Sequence, residues 1–342
     1  MSDLLIGLLG VMLATNQPAA VSNLVVQTTG VSVEVPNAND PVEKEYQAIL
    51  SEDDDAEAEV DKMIRENEEF VAKGAGLPRA ELNRKIRERF DPVRKKYEAF
   101  LEAHPNHVRG HVAFASFLGD LHDEEGAELH LKRAMELDPK DPAIYNNLAN
   151  IYTHSGPVPE AFKLYAKAIE LSPSEPTYYH NLGTTVYLFR KDAMELYGIN
   201  EQQVFDKAFG YYSNAMRLDP DNFPLASDVA QSYYGVRPLR LEAALTAWTN
   251  ALKIAHDEVE REGVYLHFAR LKLRTGRFSE AQAHLDAVTN SMYTDLKKKL
   301  QRNLDEAQKS PTNETATPTE QKQSELKPEP PPASPEPGPK PL

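Results

Sequence analysis

The sequence predicts an all-α chain, a solenoid of stacked helix-turn-helix units with helices flanking it. Two observations predict it. Proline recurs at Pro105, Pro139 and Pro173, two intervals of 34 residues, and each closes a similar ending, FLEAHP, MELDP and IELSP. A fixed period of that length, with helix, turn and helix inside it, marks an array in which each unit packs on its neighbours. Between the prolines, apolar residues return every three or four positions, which is helical spacing.

Composition separates the ends from this body. Of 25 prolines in 342 residues, ten fall between Pro311 and Pro341. The chain has no cysteine, which excludes disulfides, thiolate metal sites, a cysteine nucleophile and an acylated cysteine. A net charge of −15 argues against nucleic-acid binding, which needs clustered Lys and Arg.

The longest apolar run, Leu4 to Ala14, is too short to span a bilayer, so no integral membrane span is expected. Two readings of it stay open. It packs as a helix through Leu4, Leu5, Leu8 and Val11, leaving the protein cytoplasmic, or it is the core of a weak export signal cleaved near Ala20-Val21-Ser22. Asp3 and the lack of any Lys or Arg before the run count against export. From Val21 to Val35, with Val31, Val33 and Val35 alternating, a short strand or extended arm is as well supported as a helix.

Next, Glu34 to Glu69 holds 14 acidic and three basic residues, whereas Lys73 to Glu98 holds nine basic and four acidic. Such adjacent blocks neutralise one another in a hairpin of helices, or form a charged docking surface. A helix is predicted from Ala56 to Ala72, after the acidic stretch, and Gly74-Ala75-Gly76-Leu77-Pro78 ends it. Leu82, Ile86, Phe90, Val93, Tyr97, Phe100 and Leu101 then form an amphipathic pattern. Asp91-Pro92 within it fits an N-cap followed by proline at the first helical position, predicting two short helices.

From Pro142 to about Glu175 the repeat is most regular, with Tyr145, Leu148, Ala149 and Tyr152 on a first helix, Gly156 at the turn, then Ala161, Tyr165, Ala168 and Pro173. These positions resemble the tetratricopeptide repeat family, as found in bacterial proteins. The resemblance implies a right-handed superhelical solenoid of four to five repeats over about Val108 to Asn290. The preceding unit keeps Ala127, Leu131, Ala134 and Pro139 but has His111 at an aromatic position and His122 at the turn glycine, which predicts looser packing. Tyr179, Leu182, Gly183, Ala208, Tyr212, Ala215 and Pro220 mark the next, where about 13 residues near Arg190 to Gln203 are inserted and are expected to extend the paired helices. Ala230, Tyr233, Ala244, Trp248 and Ala251 mark a fourth, and Tyr265, Phe268, Ala269, Gly276, Ala281 and Leu285 a fifth. Leu296, Leu300 and Leu304 then line one face of a predicted capping helix. From about Ser310 the chain is Pro, Glu, Ser, Thr and Lys, a composition that cannot bury enough surface to fold. Pro328-Glu-Pro-Pro331 favours an extended spacer there over a recognition segment for an aromatic groove, and Asn313-Glu-Thr is a weak glycosylation sequon. The domains so read are 1–41, an apolar segment and extended arm; 42–105, helical with a degenerate repeat; 106–307, the solenoid and its cap; and 308–342, the Pro-rich tail.

No Gly-rich phosphate loop, Gly-x-Ser-x-Gly elbow or His-Glu-x-x-His pair occurs. His104, His107 and His111 straddle a turn without a carboxylate in ligand register, and His256 reads as a solvated helix end. No catalytic residue, cofactor or metal is therefore expected. If the resemblance holds, the first helix of each repeat lines a concave face, presenting Asn146, Asn150 and His154, then His180, Thr184 and Tyr187, then Ser227, Gln231 and Tyr234, then Leu266, Arg270 and Arg274. Amides can pair with the backbone of an extended peptide, and Arg270 with Arg274 can grip a carboxylate. The expected function is non-catalytic binding of a partner protein or peptide, as an adaptor or assembly factor. The alternatives are an exported or membrane-surface component of an envelope assembly, and an enzyme using the 190–203 insertion. The Lys and Asn clamp of some family members has Val112 and Ser116 at its positions here and is not carried over.

Overall fold

The computed structural model describes residues 39–309. The readings of the apolar run, the Val-rich arm, the Pro-rich tail and Asn313 lie outside them. Among the described residues every regular element is helical, fourteen α-helices and two short 3-10 turns. They fall into two compact units that meet in sequence at Lys140 and Asp141.

The first unit contains α1 (Pro41–Ala72), α2 (Arg79–Ala103), α3 (Val108–Asp120) and α4 (Glu124–Leu137). α1 starts well before the predicted Ala56. Asp40 accepts a hydrogen bond from the Val42 N–H at 3.0 Å and Pro41 sits in the first turn, so the acidic stretch is itself helix. Its buried face is Tyr46, Ile49, Asp53, Ala56 and Val60, three- and four-residue spacing interrupted by one acid. α2 is one helix, not two, with Pro92 inside it. The missing N–H at Pro92 costs a hydrogen bond, but Phe90, Val93, Tyr97, Phe100 and Leu101 are all buried on one face, and that burial carries the helix through.

The opposite charge blocks meet between α1 and its neighbours. Arg89 pairs with Glu59 at 2.5 Å, Arg109 with Glu43 at 2.9 Å, and Lys96 with Glu52. Beneath them the Tyr97 hydroxyl donates to Asp53 Oδ2 at 2.7 Å. Burial raises the Asp53 pKa despite that bond.

His122, between α3 and α4, takes φ of +60°, the left-handed conformation that favours glycine, just as Gly276 does at +73° in a later repeat. A non-glycine residue there costs roughly 1–2 kcal/mol, part of which glycine's larger unfolded-state entropy cancels. His122→Gly should therefore raise stability by about 0.5–1 kcal/mol, read as a higher denaturation midpoint. A lower midpoint would contradict the strain argument.

The second unit comprises α5 (Pro142–His154), α6 (Val158–Leu171), α7 (Pro176–Leu188), α8 (Arg190–Tyr197), α9 (Glu201–Leu218), α10 (Phe223–Ser232), α11 (Leu241–Lys253), α12 (Glu258–Arg274), α13 (Phe278–Asp286) and α14 (Thr294–Lys309). α5 pairs with α6, α7 with α9, α10 with α11 and α12 with α13. α14 packs on α12 and α13. The small residues of the repeat let these backbones approach: Ala149, Ala161, Ala168, Ala208 and Ala215 are each 0% exposed. At Gly183 a Cβ would lie 2.9 Å from two Tyr212 ring carbons, so α7 meets α9 through a position only glycine fills without displacement.

The proline period is also a period in backbone geometry. His104, Asp138, Ser172 and Asp219 each end a helix and precede a proline, and their φ values lie between −127° and −138°. Two residues after each proline a side chain caps the next helix: His107, Asp141, Glu175 and Asn222 all accept from a backbone N–H.

The insertion lengthens only α9, to 18 residues against the 14 of α6, and most of it does not extend the pair as predicted. It folds back as the separate helix α8, ended by Gly198 at φ of +64°. Asn200 and Gln203 then form a reciprocal capping box that opens α9. Ala193 of α8 is fully buried and shares a cluster with Phe162 and Val204. α8 thus covers apolar surface of the preceding repeat.

Candidate partner-binding face

The side chains expected on the first helices divide into two groups. Those on α5 and α7 are mostly engaged by the fold. Asn146 is 7% exposed, and its carbonyl oxygen accepts from Asn181 Nδ2 at 2.9 Å, tying α5 to α7. Asn150 accepts from the Tyr165 hydroxyl at 2.6 Å, and Thr184 from the Tyr212 hydroxyl at 3.2 Å. The His180 ring lies 3.7 Å from Asp228 of α10, while burial lowers its pKa more than that carboxylate raises it. Tyr187 places its hydroxyl against Gly235, where a Cβ would sit 1.9 Å away. His154 is exposed at the end of α5. Leu266, expected on this face, is instead 2% exposed in the cluster under α14, because that helix covers its side of α12.

The C-terminal group differs. Gln231 is exposed and donates to Ser227 at 3.3 Å. Tyr234, in the 3-10 turn after α10, has its hydroxyl 3.1 Å from His267 Nδ1, and the Arg270 guanidinium lies 5.7 Å from its ring centroid. Arg274 lies one helical turn beyond Arg270. Arg237 joins them from the α10–α11 connection, held by hydrogen bonds to the carbonyls of Tyr234 and Val236 at 2.7 and 2.8 Å. Among the described residues no ion pair links a carboxylate to Arg237, Arg270 or Arg274. Burial, then the charges of Arg237 and Arg270, lowers the Arg274 pKa, while Tyr234 opposes them. Burial pushes Tyr234 up to about 12, against the pull of Arg270 and Arg274.

Below this cluster the Trp248 indole stacks on His267, with centroids 3.8 Å apart and planes at 12°. Burial, with Arg270 adding to it, lowers His267 to about 3, so the imidazole is neutral at pH 7. The Trp248 N–H is buried near the Tyr234 hydroxyl but makes no hydrogen bond to it. Arg237 and His267 belong to this site and the sequence reading omitted both. His267 lies four residues after Gly263 and three before Arg270, inside a helix whose apolar pattern points several ways. Arg237 lies in a connection without periodicity.

The remaining histidines have structural roles. His107 caps α3 through Gly110 N–H at 2.8 Å, His104 lies 3.5 Å from Glu45, and His111 Nδ1 meets His130 Nδ1 at 2.8 Å. Among the described residues no group of three or more His, Asp or Glu is placed to hold a metal ion. No described helix is long and apolar enough to cross a membrane.

A family model described as Tetratricopeptide repeat matches residues 130–161. Among curated proteins no match is found. Among solved structures the chain is similar to a crystal structure of MamA, at 22% identity over 50% of this chain and 92% of that one, with a TM-score of 0.40. It is similar to YrrB, a TPR protein with an unusual peptide-binding site, at 16% identity over 62% and 97%, with a TM-score of 0.43. Pseudomonas aeruginosa pilF matches at 16% identity over 75% and 98%, with a TM-score of 0.46.

Proposed function

We propose that this chain, a tetratricopeptide-repeat protein, is a non-catalytic module that binds a partner protein through the first-helix face of its C-terminal unit, as an adaptor or assembly factor. The observation that carries the reading is the cluster of Arg237, Arg270 and Arg274 around Tyr234. Three like charges held together without a carboxylate repel one another, and an arriving anionic group relieves that repulsion. Elsewhere on the chain arginines are commonly paired with acids, as in Arg190 with Glu201, Arg240 with Asp206 and Arg277 with Glu280. Asn146, Asn150, His180, Thr184 and Tyr187 shape and stiffen the face, whereas Gln231, Tyr234, Arg270 and Arg274 offer it to the partner.

The test is co-purification with the tagged full chain. Arg270→Glu combined with Arg274→Glu should reduce recovery of the wild-type partner at least tenfold, with helical content unchanged, because charge reversal both removes attraction and adds repulsion. Undiminished recovery would overturn the assignment of this face.

A further inference from the structure

A cavity of about 220 Å³, open to solvent on one side, runs beside the arginine cluster. Val259, Gly263, His267 and Arg270 of α12 form one wall at helical spacing. Phe223, Trp248, Leu296 and Leu300 close it from α10, α11 and α14. Its lining is mostly apolar, and an apolar cavity of about 150 Å³ is already enough for a benzene ring. Leu296 remains 36% exposed beside it, so the packing of α14 does not use up the apolar surface.

The two ends of the cavity differ in charge. Glu260 at one end is already engaged by the His256 N–H at 2.6 Å and its ring at 3.1 Å. Arg270, at the other, has no acid partner and leads to Arg274 and Arg237. Ten residues of helix separate Glu260 from Arg270, about 15 Å, the span of four or five residues of extended chain.

We infer that the cavity takes a large apolar side chain from the partner, and that a neighbouring acidic residue of the same segment pairs with Arg270 and Arg274. The recognised element is thus a short acidic and apolar stretch within a protein. The inference rests on the partner-binding reading above and gives that partner its chemistry. An aromatic side chain in the cavity contacts Trp248, while its neighbour's carboxylate reaches the guanidinium fork that Tyr234 supports. α12 contributes to both the apolar contact and the ion pair, so each fixes the register of the other.

The test uses the full chain and an array of end-blocked heptapeptides that combine one phenylalanine or leucine with one glutamate at every spacing. Matched peptides carry alanine for the apolar residue or glutamine for the acid. Retention at least tenfold above both matched sets is expected, at spacings of one to three residues. Trp248, the chain's one tryptophan, should shift its emission with the phenylalanine peptides. Ser227→Leu, which fills the cavity from α10, should abolish the apolar preference and leave the acidic one. Arg270→Gln should do the reverse.

Retention of acidic peptides regardless of the apolar residue would sink the cavity assignment while leaving the arginine face standing. So would an unmoved Trp248 emission at saturation. If no peptide is retained by a chain that still recovers its partner through the arginines, the inference fails and the parent reading survives. Loss of arginine dependence in co-purification would remove both.

Discussion

Replacing Glu262 by alanine is expected to lower stability by about 3 kcal/mol and to loosen α14. The side chain is 4% exposed and accepts from Thr289 N–H at 2.9 Å, the Thr289 hydroxyl at 2.8 Å and Asn290 N–H at 2.7 Å. Burial would raise its pKa, but those three hydrogen bonds, with Lys297 nearby, hold it below the usual carboxylate value. A hydrogen bond to a charged acceptor contributes roughly 1.5–3 kcal/mol, and truncation removes three of them, part of whose contribution water at the exposed Thr289 replaces. The effect reaches α14 because Thr289 and Asn290 lie in the connection to it. Tyr293 and Lys297 add only one carbonyl contact each, to Val259 at 2.9 Å and Val288 at 2.7 Å. Urea denaturation gives the loss, and hydrogen exchange of the α14 amides shows where it falls. Equal exchange in the two proteins would mean that α14 is held without Glu262, by its leucines and by contacts such as Gln301 with Gln282. Glu262→Gln keeps one acceptor oxygen and should lose about half as much.

Acid is the second large perturbation. In the unfolded chain His267 titrates at its ordinary 6.5, whereas in the fold it titrates at about 3. Between those values the unfolded state binds the extra proton, so stability falls as pH drops through 6.5 and goes on falling toward 3. Each unit of pH in that window costs up to about 1.4 kcal/mol from this residue, or about 2 kcal/mol at pH 5. His107, His130, His180 and His284, also lowered chiefly by burial, act in the same direction. Asp53, Asp120 and Asp228, raised by burial, gain stability with acid and oppose them at lower pH. His267→Phe keeps a ring against Trp248 and cannot be protonated, so its stability should vary less between pH 6.5 and 5 than that of the wild type. Parallel curves would mean that His267 accepts the proton without leaving its site.

The repeat was legible because its signals are local. Pro105, Pro139 and Pro173 fix where helices stop, and the alanines at 149, 161 and 168 show which faces meet. Whatever depended on a balance between distant groups was not. Asp53 broke the apolar rhythm of α1 and hid its first half, since only the partner Tyr97 on α2 makes a buried acid tolerable there. Pro92 read as a boundary because proline is judged locally, whereas the buried face running on to Leu101 outweighs it. The insertion looked like longer helices, yet Gly198 and the Asn200 box are stop and start signals that predict a separate one. Asn146 read as a ligand-facing amide, and its partner Asn181, 35 residues away, turns it into a strut between repeats.

The proline junctions also bear on how the chain acquires its shape. Each stop and start is contained in four residues, from the C-cap before the proline to the cap two after it, and within each repeat the paired helices lie close in sequence. Structure of low contact order forms quickly, because little chain must be ordered before a contact rewards it. As a ribosome releases the chain from its N-terminus, a repeat can close as soon as its second helix emerges, and its exposed flank becomes the template for the next. The cavity needs α14 as well as α10 to α12, so it is complete only once all four have emerged. The preceding repeats are thus in place before that cavity forms.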